Sequence, residues 1–79
     1  MLMRRSDMLG ERLKQARTSA GLTQKELGEK AGGLTEAMIS MVENGRKLLS
    51  HRSLEDVSDV LGISPTYLIK GYSENKQTQ

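Results

Sequence analysis

The chain has 79 residues, the length of one small domain. Twelve Lys and Arg oppose ten Asp and Glu, so the formal net charge of +2 says little about partners, and only clustering of the positive residues is informative. Cysteine is absent and His occurs once, which excludes disulfides, thiol nucleophiles and Cys or His-rich metal centres; with no Phe or Trp and only two Tyr, a stacking platform for single strands is not expected.

Apolar residues recur at helical spacing in short blocks, and strand-like alternation is missing. The first helix is expected over 7–20, with Leu9, Leu13 and Ala16 on one face and Gly21 as its stop. The second begins at Thr23. Its TQKE string is a capping box, in which the Thr23 hydroxyl accepts the Glu26 N–H while Glu26 reaches back, and Leu22 and Leu27 stand at the staple positions. It should reach Ala31 and stop at Gly32-Gly33. The third helix is capped by Thr35, turns Ile39 and Val42 inward, and ends at Asn44-Gly45. A loop over 46–52 follows. The fourth helix is expected to be capped by Ser53 with Asp56 at N3, and carries Leu54, Val57 and Leu61 until Gly62. The fifth starts at Ser64-Pro65, presents Leu68 and Ile69, and ends near Gly71.

This pattern predicts an all-α fold: a compact bundle of five short helices over 7–72, flanked by mobile tails at 1–6 and 73–79. The expected core is Leu9, Leu13, Ala16, Leu22, Leu27, Ala31, Leu34, Ile39, Val42, Leu54, Val57, Leu61, Ile63 and Leu68. Small residues at Gly28, Ala31 and Ala37 are expected to let the second and third helices approach closely. Short helix, glycine turn and second capped helix form a helix-turn-helix, whose second helix can enter the major groove of DNA.

The strings GLTQKEL, ISMVENG and SLEDVSDVLGISPTYLIKG, in this order and spacing, resemble the DNA-binding domain of the lambda and 434 phage repressors and Cro proteins, over roughly residues 9–72. The resemblance implies a role for each matching position. Arg17 and Glu43 stand where the family has a structural ion pair joining the first helix to the end of the third. Gln24 stands where the family places a Gln that touches phosphate or the neighbouring groove-bound side chain. Gln24, Lys25, Thr35, Asn44, Arg46, Lys47, His51 and Arg52 become candidates for phosphate or minor-groove contact. Tyr67, Leu68, Ile69 and Tyr72 mark a C-terminal face of the kind such repressors use for symmetric pairing.

The charge distribution supports this independently. Residues 44–53 hold three basic residues, one His and no acid, whereas residues 54–69 hold Glu55, Asp56 and Asp59 and no base. The groove-facing positions of a helix capped at Thr35 are Glu36, Ala37, Ser40 and Met41, a surface without the Arg or Gln that many relatives carry. Glu36 can accept from cytosine N4, and Ala37 or Met41 can touch a thymine methyl. Equally, Glu36 can serve only the helix dipole, and Met38 and Met41 only packing. The turn at Gly32-Gly33 is one residue longer than the common form. His51 is either a phosphate contact or an ordinary loop residue. Leu48 and Leu49 either fill a gap beneath the loop or form an exposed patch for a partner.

The expected function is a sequence-specific, double-stranded DNA-binding transcription regulator of phage, prophage or mobile-element type. It would be a repressor that binds its operator as a homodimer. The alternative is a protein-interaction module on the same fold, an antitoxin or dimerisation partner. Neither an enzyme nor a cofactor or metal site is indicated. No apolar run approaches the roughly 20 residues of a membrane span, and no apolar stretch of secretory length follows residues 1–5. The expected location is the cytoplasm, with no membrane partner.

Overall fold

A computed structural model describes residues 5–71. Within them lie five helices: α1 Arg5–Ser19, α2 Gln24–Lys30, α3 Glu36–Glu43, α4 His51–Leu61 and α5 Pro65–Lys70. The caps follow local chemistry. Thr23 accepts the Glu26 N–H at 3.0 Å while Glu26 Oε1 accepts the Thr23 N–H at 2.9 Å, completing the capping box. Thr35 accepts from the Met38 N–H at 3.1 Å, and Ser64 from the Tyr67 N–H at 3.0 Å with Pro65 just inside the helix. Gly32 and Gly33 both adopt left-handed φ, +85° and +82°, which the longer turn between α2 and α3 requires.

Two boundaries differ from expectation. Helix α1 begins at Arg5 rather than residue 7. Helix α4 begins one turn early: its cap is Ser50, whose hydroxyl accepts the Ser53 N–H at 3.1 Å, and not Ser53. The reason lies in the preceding residue. A cap at Ser50 puts Leu49 and Leu54 at the staple positions, where both line one apolar depression; a cap at Ser53 would have put Arg52 there instead.

The helices close around Leu9, Leu13, Leu27, Ala31, Ile39, Val42, Leu54, Val57 and Leu68, all buried. Leu22, Leu34, Leu61 and Ile63 pack half-buried against this centre, as do Leu49, Val60 and Ile69, which the spacing did not select. Helix α3 packs on α1 and α2, while α4 and α5 close the other side.

Close approach of backbones is what holds α3 in place. A Cβ at Gly28 would overlap the Leu34 carbonyl oxygen, and one at Gly10 would overlap the Val42 carbonyl oxygen. Gly28 therefore has its expected role. Ala37 does not: it is exposed, on the side of α3 turned away from α2. Gly10 is the small residue that does the comparable work on α1. The obstacle at Gly28 is backbone, which no rotamer change relieves, so Gly28→Ala should cost a net of about 1–3 kcal/mol in urea unfolding.

Two polar side chains complete the packing. Arg12 Nε donates to the Leu68 carbonyl at 3.0 Å and Arg12 Nη2 to the Ile69 carbonyl at 2.8 Å, so a cation from α1 satisfies the C-terminus of α5. Ser58 is 1% exposed, and its hydroxyl has no hydrogen-bond partner among the described residues. An unpaired buried hydroxyl costs free energy, and Ala is the better helix former. Ser58→Ala should therefore raise stability by about 1 kcal/mol, a rise in Tm of roughly 5 °C in a thermal melt.

Candidate nucleic-acid interface

Helix α3 has two faces. Ile39 and Val42 are fully buried and fix it to α1 and α2. Residues 36, 37, 40, 41 and 44 recur on the other side at i, i+1, i+4, i+5 and i+8. There Glu36, Ala37 and Asn44 are exposed and Ser40 is half-buried. Met41 is 40% exposed, one of two large apolar side chains left open to solvent among the described residues. The packing reading thus fits half-buried Met38 but not Met41. Asn44 Nδ2 donates to Ser40 Oγ at 3.4 Å, a weak bond along this face.

The far end of α3 is tied down by a buried charge network. Arg17 Nε donates to Glu43 Oε2 at 2.6 Å and Arg17 Nη2 to Glu43 Oε1 at 3.1 Å, a two-pronged pair with side chains only 11% and 3% exposed. Arg17 Nη1 also donates to the Leu22 carbonyl at 2.8 Å. Gln24 Nε2 donates to Glu43 Oε1 at 3.0 Å. One carboxylate therefore joins α1, the first residue of α2 and the last residue of α3. Gln24 spends one amide hydrogen on it and keeps the other. The side chain it touches is Glu43, not one on the exposed face of α3.

Beyond α3 the chain folds back on itself. The Arg46 N–H donates to the Met41 carbonyl at 2.9 Å, which sets Arg46 beside the exposed face. Arg46 and Lys47 are exposed on the connection between α3 and α4. His51 and Arg52 are not in that connection, as the sequence suggested, but in the first turn of α4, because the helix is capped at Ser50. Both remain exposed, as do Lys25 and Thr35. None of Lys25, Arg46, Lys47 and Arg52 is engaged in an ion pair among the described residues. His51 Nε2 lies 3.3 Å from Glu55 Oε2, an i,i+4 pair with side chains 85% and 58% exposed, of little consequence for stability.

The C-terminal face departs most from expectation. Leu68 is fully buried in the core, because α5 presents it to α1, so it has no surface to offer a second molecule. Tyr67 and Ile69 are half-buried, and Tyr72 lies outside the described residues. The apolar surface that is open lies elsewhere: Leu48 is 55% exposed and, with half-buried Leu49, Leu9, Leu54 and Ile69, lines a shallow depression. Leu49 thus fills the gap beneath the connection and Leu48 is the exposed residue. Among the described residues no group of acidic and His side chains is arranged to hold a metal ion, and no helix is long and apolar enough to cross a membrane.

Comparison with known proteins agrees with this geometry. A helix-turn-helix family model matches residues 13–69. An uncharacterized HTH-type transcriptional regulator of Bacillus subtilis strain 168, YqaE, is 33% identical over 72 residues, 91% of this chain and 61% of its own length. An SPbeta prophage-derived HTH-type regulator of the same strain, YonR, is 36% identical over 64 residues, 81% of this chain and 58% of its own length. The chain thus spans about three fifths of these curated relatives. The P22 c2 repressor, solved in complex with a synthetic operator, superposes with a TM-score of 0.79 at 31% identity, covering 82% of this chain and 97% of that one. With the match over 13–69 and the capped α2–turn–α3 unit at its centre, the chain belongs to the helix-turn-helix family and is a lambda-repressor-like domain of it.

Proposed function

We propose that the chain binds duplex DNA with α3 in the major groove and regulates transcription as a repressor of phage or prophage type. One observation carries this reading. Among the described residues nothing covers Glu36, Ala37 and Met41 on the outward side of α3, the exposed cations Arg46 and Lys47 follow directly after the helix, and Lys25 and Arg52 are exposed in the first turns of the two helices next to it in the chain. Duplex DNA offers what that surface lacks: base edges for α3 and phosphates for the cations. The prophage origin of one relative and the operator bound by the P22 c2 repressor point the same way.

Phosphate contacts from Arg46, Lys47, Arg52, Lys25 and the Thr35 cap hold the domain in register, while Glu36, Ala37, Ser40 and Met41 meet the bases. Gln24, with its second amide hydrogen, and Asn44 stand at the edges of this contact. A single face this small grips lightly, so two copies are needed on a palindromic site, with half-sites about 34 Å apart. Bound there, the dimer obstructs polymerase. A protein-binding role on the same fold is favoured by one feature, the exposed Leu48. Anisotropy titrations at two salt concentrations separate the readings. Tighter binding to the gene's own upstream duplex than to a scrambled one, weakening steeply with salt, is expected of the regulator. Equal binding to both at every salt, with a stoichiometric protein complex instead, would favour the second.

A further inference from the structure

The exposed face of α3 begins with an acid and carries two apolar side chains. Glu36 is exposed, and its side chain makes no hydrogen bond or ion pair among the described residues. It is not needed as a cap, because the Thr35 hydroxyl already accepts the Met38 N–H at 3.1 Å. On the same face stand Ala37, exposed, and Met41, 40% exposed. Arg, Lys and Gln are absent from α3 altogether.

We infer that Glu36 makes this domain select cytosine at one position of each half-site, with a thymine methyl beside it against Ala37 and Met41. The inference rests on the reading of α3 as the groove-facing helix. An ionised carboxylate only accepts hydrogen bonds. In the major groove guanine shows N7 and O6, both acceptors, and thymine shows the acceptor O4. A carboxylate desolvated against any of these loses its water and gains nothing. Adenine offers its N6 donor, but with the acceptor N7 next to it, which repels the second carboxylate oxygen. Cytosine alone presents an N4 donor with no acceptor on its own edge, flanked by the apolar C5 side. Selection thus works by penalty as much as by attraction. The same negative charge lowers affinity for every other sequence, since it faces phosphate-rich DNA with no donor to meet it.

Binding-site selection from random duplexes, run on the 79-residue chain and on Glu36→Gln, tests this. The wild type should enrich cytosine next to thymine in each half-site. Glu36→Gln should keep the rest of the motif and shift that position toward adenine, whose N6 and N7 suit a side-chain amide. It should also bind scrambled duplex more tightly than the wild type. Placing N4-methylcytosine at the selected position removes the groove-side hydrogen. That should weaken wild-type binding about tenfold and weaken Glu36→Gln less, because a neutral amide oxygen is the poorer acceptor for the N4 hydrogen. An identical motif for both proteins, or indifference of the wild type to N4-methylation, overturns the inference while leaving DNA binding by α3 intact. No enriched motif with the wild type overturns the inference together with the reading beneath it. Glu36 is exposed and Glu36→Gln removes only its charge at the start of α3, so the two thermal melts should agree within about 5 °C, and the selection then reports recognition and not folding.

Discussion

Arg17→Ala should lower the free energy of unfolding by about 3–5 kcal/mol, enough to leave a domain of this size partly unfolded at room temperature. The magnitude follows from what is left behind. The Glu43 side chain is 3% exposed and loses both guanidinium bonds, keeping one from the Gln24 amide. The Leu22 carbonyl loses its donor as well. Replacing both members of the pair should cost less than the sum of the single changes, because the stranded carboxylate is then gone; a double-mutant cycle in urea measures that coupling. Gln24→Ala should be mild by comparison, since it removes one neutral donor from a carboxylate that keeps its cation. Loss of DNA binding in Arg17→Ala should follow loss of fold, so binding at low temperature, where the domain is folded, should be largely retained.

The converse substitution is expected to act on DNA binding and to spare the fold. Replacing Arg46, Lys47 and Arg52 together with Ala should change the Tm by little, because all three are exposed and none is in an ion pair among the described residues. Affinity for duplex DNA should fall roughly 100-fold near 0.1 M salt, and the slope of log K against log salt should shrink by about 2–3 per protomer. The pair of experiments separates scaffold from surface: Arg17 moves stability first, and the basic triple moves binding alone. A triple variant that binds as tightly as wild type and with the same salt slope would remove these residues from the interface.

Much of this was legible in the sequence because its determinants are local. Thr23, Thr35 and Ser64 cap through side chains that reach only three residues ahead, and the capping box spells itself out in TQKE. The core followed from helical spacing, and the Arg17–Glu43 pair from family resemblance, which the observed bonds match. What was not legible needed tertiary context. Ser50 and Ser53 are equally good caps by residue type, and the packing of Leu49 against the core decides between them. That choice moves His51 and Arg52 from a loop onto a helix. The preceding Leu49, four residues beyond Arg46's neighbour Gly45, was the staple signal that could have settled it. Leu68 fits either a core or a pairing face by spacing alone, and only the docking of α5 on α1 assigns it to the core. Gly10 lies inside a helix, where nothing nearby in the chain announces that the Val42 carbonyl will press against it. Gln24's bond to Glu43 spans 19 residues and likewise has no local sign.

In the proposed complex, duplex DNA meets the α3 face and the basic segment beside it. The most direct test is a titration of 15N-labelled protein with a short duplex at low salt, followed by amide chemical shifts. Even non-specific binding should use this face. The largest shifts should fall on residues 35–41, 44–47 and 50–52, while the outward face of α4 around Glu55 and Asp59 stays nearly still. Shifts centred on α4 or α5, or none at a duplex excess in low salt, would contradict it.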